Sequence, residues 1–226
     1  MSYLDSNAIL GVINSPNTTF AKIRDNDEKY FASSVAIFLV ASIVGLLVMV
    51  PFVMMPLDAT YYEVFEENQI DVDIPVGWSD AFLFVGVNIV IGIISNGLFY
   101  FIGKKLGGNK SWKKVFSVLF YAYVPTIPMM LVFSVLVYIM WGSLTGIDPF
   151  YLMAPGSDEE EIFSLIAPVL SYVGLMILVA IIFVVWIFII TIKAVKTVNG
   201  FGTAKSFGLI LLVMIITSII TVPLGS

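Results

Sequence analysis

Asn88, Ser95 and Asn96 are the polar side chains best placed to do chemistry in this chain, because they interrupt an otherwise apolar stretch. Asn88 and Asn96 are eight residues apart, about two helical turns, so they share a helix face, with Gly92 and Ser95 close by. Such a strip can line a substrate path. It can equally hydrogen-bond between helices, at ~0.6 kcal/mol per bond, with small residues letting backbones approach. Packing is the commoner use of such residues in helical bundles. Pro125 and Pro128 form a second candidate. Both break the helical ladder and free carbonyls between Tyr121 and Ile127 for a cavity or gate, or they simply kink the bundle. Tyr121 and Tyr123 stand just before them.

The remaining chemistry is largely excluded. The chain has no histidine and no cysteine, so it lacks the commonest general base, thiolate nucleophiles, disulfides and the usual transition-metal ligands. No serine can be activated by histidine, and no pair of membrane aspartates exists for an intramembrane protease. The segment Gly103-Lys104-Lys105-Leu106-Gly107-Gly108-Asn109-Lys110-Ser111 superficially resembles a phosphate-binding loop. Asn109 stands where that motif needs lysine, and the segment follows a membrane helix, not a strand. The acidic loops show no EF-hand spacing, and a solvated loop explains them better than a cation site. No enzyme activity, metal, cofactor or nucleic-acid partner is expected.

The elements that must carry these residues are membrane helices. Hydrophobic residues make up 59% of the 226 and charged residues only 12%, against about 25% charged in a soluble domain. The composition predicts an all-α integral membrane protein: a five-transmembrane-helix bundle with a short N-terminal interfacial amphipathic helix. Residues 1–32 form the amphipathic region. Ser15 is read as a cap and Pro16 as the first helical residue, with Phe20 and Ile23 on one face beside Lys22 and Arg24. Residues 33–222 form the membrane domain, with spans at about 34–55, 81–102, 115–140, 166–192 and 203–221. Pro51 and Pro56 are read as the outer end of the first span, and Ser79 or Asp80 as the cap of the second. Trp141 is read as an interface aromatic and Pro168 as a kink or the true start of the fourth. The first thirty residues lack a signal-peptide core, so the first span is expected to direct insertion.

Apart from Lys205, close to the start of the last span, no Asp, Glu, Lys, Arg or His falls within these spans, which argues against a coupled pump or voltage sensor. All eleven basic residues fall on one side: Lys22, Arg24 and Lys29; Lys104, Lys105, Lys110, Lys113 and Lys114; Lys193, Lys196 and Lys205. Four acidic residues share that side, and the other twelve lie opposite with no basic residue. The positive-inside rule then puts the N-terminus in the cytoplasm and the C-terminus outside, in the cell membrane. The cytoplasmic lysines are candidates to contact a partner or anionic lipid headgroups, at ~1 kcal/mol per residue near the surface.

Three segments together resemble one family. The first is Ser15-Pro16-Asn17-Thr18-Thr19-Phe20-Ala21-Lys22-Ile23, similar to its "Pro, then Phe, then Ile" entry segment, carried by Pro16 and Phe20. The second is Leu106-Gly107-Gly108-Asn109 followed by Tyr121-Ala122-Tyr123-Val124-Pro125, similar to its Gly-Gly loop and its Tyr-to-Pro motif. The third is Trp186 followed by Val198-Asn199-Gly200-Phe201-Gly202-Thr203-Ala204, similar to its hairpin between the last two helices. The family is the YIP domain family, five-span proteins whose eukaryotic members act in secretory trafficking and bind Rab-type GTPases. Here Asn199 stands where many relatives have histidine, and Gly202 where many have serine. The long acidic region of eukaryotic members has no counterpart in these residues, so Rab-type trafficking is not carried over. Ten lysines to one arginine and no cysteine point to a prokaryotic, archaeal member. The resemblance implies a membrane organiser or partner-binding protein without catalysis, acting through its basic loops. A partner membrane protein or a second copy of the chain is then expected. The alternatives are a passive small-molecule or lipid transporter or channel, and an accessory subunit of a larger membrane complex.

Overall fold

A computed structural model of the chain describes residues 5–54, 77–144 and 159–221. Among them are helices α1 (Ser6–Asn14), α2 (Pro16–Asp25), α3 (Asp27–Val44), α4 (Leu46–Met54) and α5 (Trp78–Lys105). Then follow α6 (Trp112–Tyr121), α7 (Thr126–Leu144), α8 (Glu159–Asn199) and α9 (Thr203–Thr221). No strand occurs among the described residues. Among the described residues, five stretches are long and apolar enough to cross a membrane: Asp27–Met54, Trp78–Lys105, Trp112–Leu144, Ala167–Asn199 and Thr203–Ile220. The protein is an all-helical membrane bundle.

The helix boundaries follow local chemistry. Asp5 caps α1, its carboxylate accepting from the N–H groups of Asn7 and Ala8 at 3.0 and 3.2 Å. Ser15 holds the cap position of α2 and Pro16 its first turn, but the Ser15 side chain makes no capping bond. Its carbonyl does the work, accepting from Thr19 N–H at 3.1 Å and the Thr18 hydroxyl at 3.0 Å. The second span begins one turn earlier than its expected caps. Gly77 carbonyl accepts from Ala81 N–H, so Ser79 and Asp80 sit in the first turn of α5, where a carboxylate suits the helix dipole.

The chain divides into two compact units. The first comprises residues 1–43, 86–128 and 183–226; the second comprises residues 44–85 and 129–182. The first unit contains all eleven basic residues and one continuous core. Val12, Phe20, Ile23, Tyr30, Val115, Val118, Tyr121, Ala194 and Val195 are all buried within it. The amphipathic segment is therefore two helices, and its apolar face is turned to protein. Phe20 and Ile23 are fully buried in the core that α6 shares. Burial of side chains this size stabilises by about 1.5–3 kcal/mol each. Arg24 secures the arrangement by donating to the Thr197 carbonyl on α8 at 2.9 Å.

In the second unit, Phe52 of α4 packs on Trp141 of α7 with ring centroids 4.5 Å apart. Trp141 is thus a buried packing residue near the end of its span. Pro51 lies close to the end of the first span, which runs to Met54: the chain breaks at Gly45, restarts as α4, and carries Pro51 in its second turn. The missing Pro51 N–H then removes a single ladder bond. Pro168 lies inside α8, which begins at Glu159, and sits beside the start of its membrane-crossing stretch at Ala167. Pro56, the acidic residues from Asp58 to Asp73, Asp148 and Asp158 lie outside the described residues.

Candidate functional site

The two basic hairpins meet through an asparagine. α5 ends in a Schellman motif: Gly108 N–H donates to the Gly103 carbonyl at 2.8 Å, and Gly107 N–H to the Lys104 carbonyl at 3.1 Å. α8 ends similarly, with the N–H groups of Gly200 and Phe201 both donating to the Lys196 carbonyl. The residue that reverses the chain has φ +85° at Gly107 and φ +70° at Gly200, a region glycine enters without the Cβ penalty. Asn199, just before the second reversal, reaches across to the first. Its Oδ1 accepts from Asn109 N–H at 3.1 Å, and Asn109 Nδ2 donates back to the Val198 carbonyl at 3.1 Å. Asn199 Nδ2 is held by the Val195 carbonyl at 3.2 Å. A Cβ on Gly108 would overlap Asn199 Oδ1, so Gly108 is required for close approach.

Lysine closes the joint. Lys205 Nζ donates to the Leu106 carbonyl at 2.6 Å and lies 4.2 Å from the centroid of the Phe201 ring. Lys196 Nζ reaches Thr203 Oγ1 at 3.5 Å. Lys104 and Lys113 cover the rings of Tyr100 and Phe31, and Lys114 lies in the field of Asp25. Lys105 and Lys110 are exposed and Lys193 half-buried; among the described residues none of the three ammonium groups has a partner. The site that eight lysines suggested thus separates into clamps and free cations.

The N-terminal motif joins the same unit. Tyr30 is buried and donates to Asp5 Oδ2 at 3.1 Å, while Ser33 Oγ pairs with the Tyr121 hydroxyl at 2.9 Å and donates to the Tyr30 carbonyl. The ammonium groups of Lys22 and Lys29 sit 5.8 and 5.3 Å from the Tyr30 ring centroid. Burial by itself raises the Asp5 pKa. The bond from Ala8 N–H, the Tyr30 hydroxyl, the Lys22 charge and Asn7 N–H outweigh it, so the carboxyl is held below its ordinary value. Pro16 is buried at the first turn of α2, Trp186 is partly buried against the core, and Ala204 is exposed on the first turn of α9.

The intramembrane strip separates. Asn96 is buried, donating to the Gly92 carbonyl at 2.6 Å and toward the Tyr123 hydroxyl at 3.5 Å. Ser95 pairs with Thr217 of α9 at 3.2 Å. Asn88 is exposed and joins neither pair. Asn96, Tyr123, Thr126 and Thr191 line a cavity of about 180 Å³. Ser95 and Thr217 line another of about 270 Å³, and Phe99 stands in the wall of both. The Pro125 break ends α6 at Tyr121, but the carbonyls it frees are reabsorbed. Those of Phe120, Tyr121, Tyr123 and Val124 accept from N–H groups three residues on.

What sequence reasoning missed is the Asn199–Gly108 joint, the Asp5–Tyr30 bond and helix α1. The signals were present as Gly107-Gly108 and Asn199-Gly200, each just past a helix that ends in lysines, and as Asp5 ahead of an apolar run. They mark where helices stop, but not that the stops touch. No curated protein and no solved structure matches this chain. The model of the Yip1 domain matches residues 10–224, nearly the whole length. The three motifs lie in one unit, and the chain belongs to the Yip1 domain family.

Proposed function

We propose that this is a non-enzymatic multi-pass protein of the cell membrane that binds partners or organises the bilayer through its basic face. The reading places the N-terminus in the cytoplasm, the C-terminus outside and the basic face in the cytoplasm. The observation that carries it is the joint described above. Asn199, Gly108 and Lys205 fasten two family-motif hairpins to each other, and Arg24 fastens the N-terminal helices to the same helix end. Hydrogen bonds spent on joining loops hold a surface in shape, and a shaped surface with free cations suits recognition. Photocrosslinkers placed at Lys105 and Lys110 in cells test the reading. It expects discrete protein adducts at both positions and none at lipid-facing Leu83. Absence of adducts at the basic face would overturn it.

The Asn96 cavity supports a second reading, passive passage of a small neutral solute. Its polar groups are uncharged and sit within apolar spans. Vesicles holding the purified protein distinguish the two. The first reading expects no solute flux, and flux abolished by Asn96→Leu would favour the second.

A further inference from the structure

We propose that the groove between α2, the end of α8 and the start of α9 binds one anionic phospholipid by its phosphate. The groove holds about 270 Å³ and is lined by Asn17, Ile189, Ile192, Lys193, Lys196 and Thr203. Lys193 and Lys196 are three residues apart on a helix, so their side chains leave the same face. Lys193 has no partner among the described residues, and Lys196 spends one long bond on Thr203. An ammonium has three donors, so both keep donors free for phosphate oxygens. No carboxylate lines the groove to neutralise them.

The start of α9 adds to this charge. Gly202 occupies its cap position, with its carbonyl accepting from Ser206 N–H at 3.0 Å. Glycine has no side-chain oxygen to satisfy the first N–H groups of the helix, which leaves positive potential beside Thr203. Soluble phosphate would be recognised by these groups alone. The groove has a second chemistry: Ile189 and Ile192 form its wall inside a membrane-spanning helix, and exposed Val185 continues the apolar face one turn further. Cations at one end and exposed apolar side chains at the other match a lipid with a charged phosphate and an acyl chain. The volume is below the 300–1,000 Å³ usual for an enclosed small-molecule site, so it suits a headgroup whose tail leaves along the helix.

The proposal rests on the basic face being the working face, and its test is separable from that reading. The full chain is placed in nanodiscs of equal phosphatidylglycerol and phosphatidylcholine, and retained lipid is counted by native mass spectrometry. Wild type is expected to keep one phosphatidylglycerol and no phosphatidylcholine. Lys193→Gln with Lys196→Gln should weaken retention on the order of thirty-fold, as two cations near the surface predict. Lys104→Gln with Lys105→Gln should leave it unchanged. Asn17→Ala, an exposed position, provides a milder variant and should lower retention without changing Tm. Equal loss in both lysine pairs, no loss in either, or displacement of the lipid by millimolar inorganic phosphate would each overturn the proposal. No lipid retained by wild type, with crosslinks at Lys105 and Lys110 kept, would overturn the lipid site and leave the wider reading standing; retention kept without those crosslinks would do the reverse.

Discussion

Asn199 does the work of several residues, and its loss should show it. Asn199→Ala leaves Asn109 N–H without its acceptor and frees the Gly103–Gly108 surface. A loss of about 1–3 kcal/mol is expected, read as a lower Tm in detergent. Gly108→Ala should cost a similar amount by overlap, whereas Gly97→Ala, with open space around its Cβ position, should be neutral or stabilising. Equal effects of the two glycine substitutions would show that the joint is not tight. Asp5 makes a separate prediction. Its folded pKa is below its unfolded value, so its stabilisation is complete above the ordinary carboxylate range. It is lost as pH falls through the depressed value. Wild type should therefore lose more Tm than Asp5→Asn on acidification below pH 4.

At the scale of elements, the apolar period of the spans was easy to read because lipid imposes it on every turn. Leu83, Ile93, Phe101, Ile181 and Ile219 are all exposed large hydrophobics on such helices. The small elements were harder. Pro16 announced α2, since a proline is favoured at a helix start, but nothing local said that Phe20 and Ile23 would be buried under α6. An amphipathic face has the same pattern whether lipid or protein covers it. Phe20→Ala distinguishes these: a protein-buried ring should cost about 3–5 kcal/mol, whereas a lipid-facing one leaves Tm nearly unchanged. Pro51 and Pro168 both lie inside helices, near the ends of their membrane-crossing stretches. A proline removes one donor, and a helix that has just restarted, or one as long as α8, continues past that loss.

For the whole molecule, charge carried more information than any motif. The eleven basic residues mark three sequence segments far apart, and all three belong to the one compact unit that also holds the Yip1 motifs. The candidate site was legible as a set of lysines. It was not legible as clamps and free cations, because Lys205 and Lys105 differ only in what the fold brings beside them. The account's central claim is that the three basic segments of this unit lie on a single cytoplasmic face, and the absence of cysteine makes it simple to test. Single cysteines at Lys110, Gly202 and Glu66 are treated with a membrane-impermeant maleimide in intact cells. The account predicts labelling at Glu66 only, with Lys110 and Gly202 reacting after permeabilisation. Labelling of Lys110 or Gly202 in intact cells would contradict it.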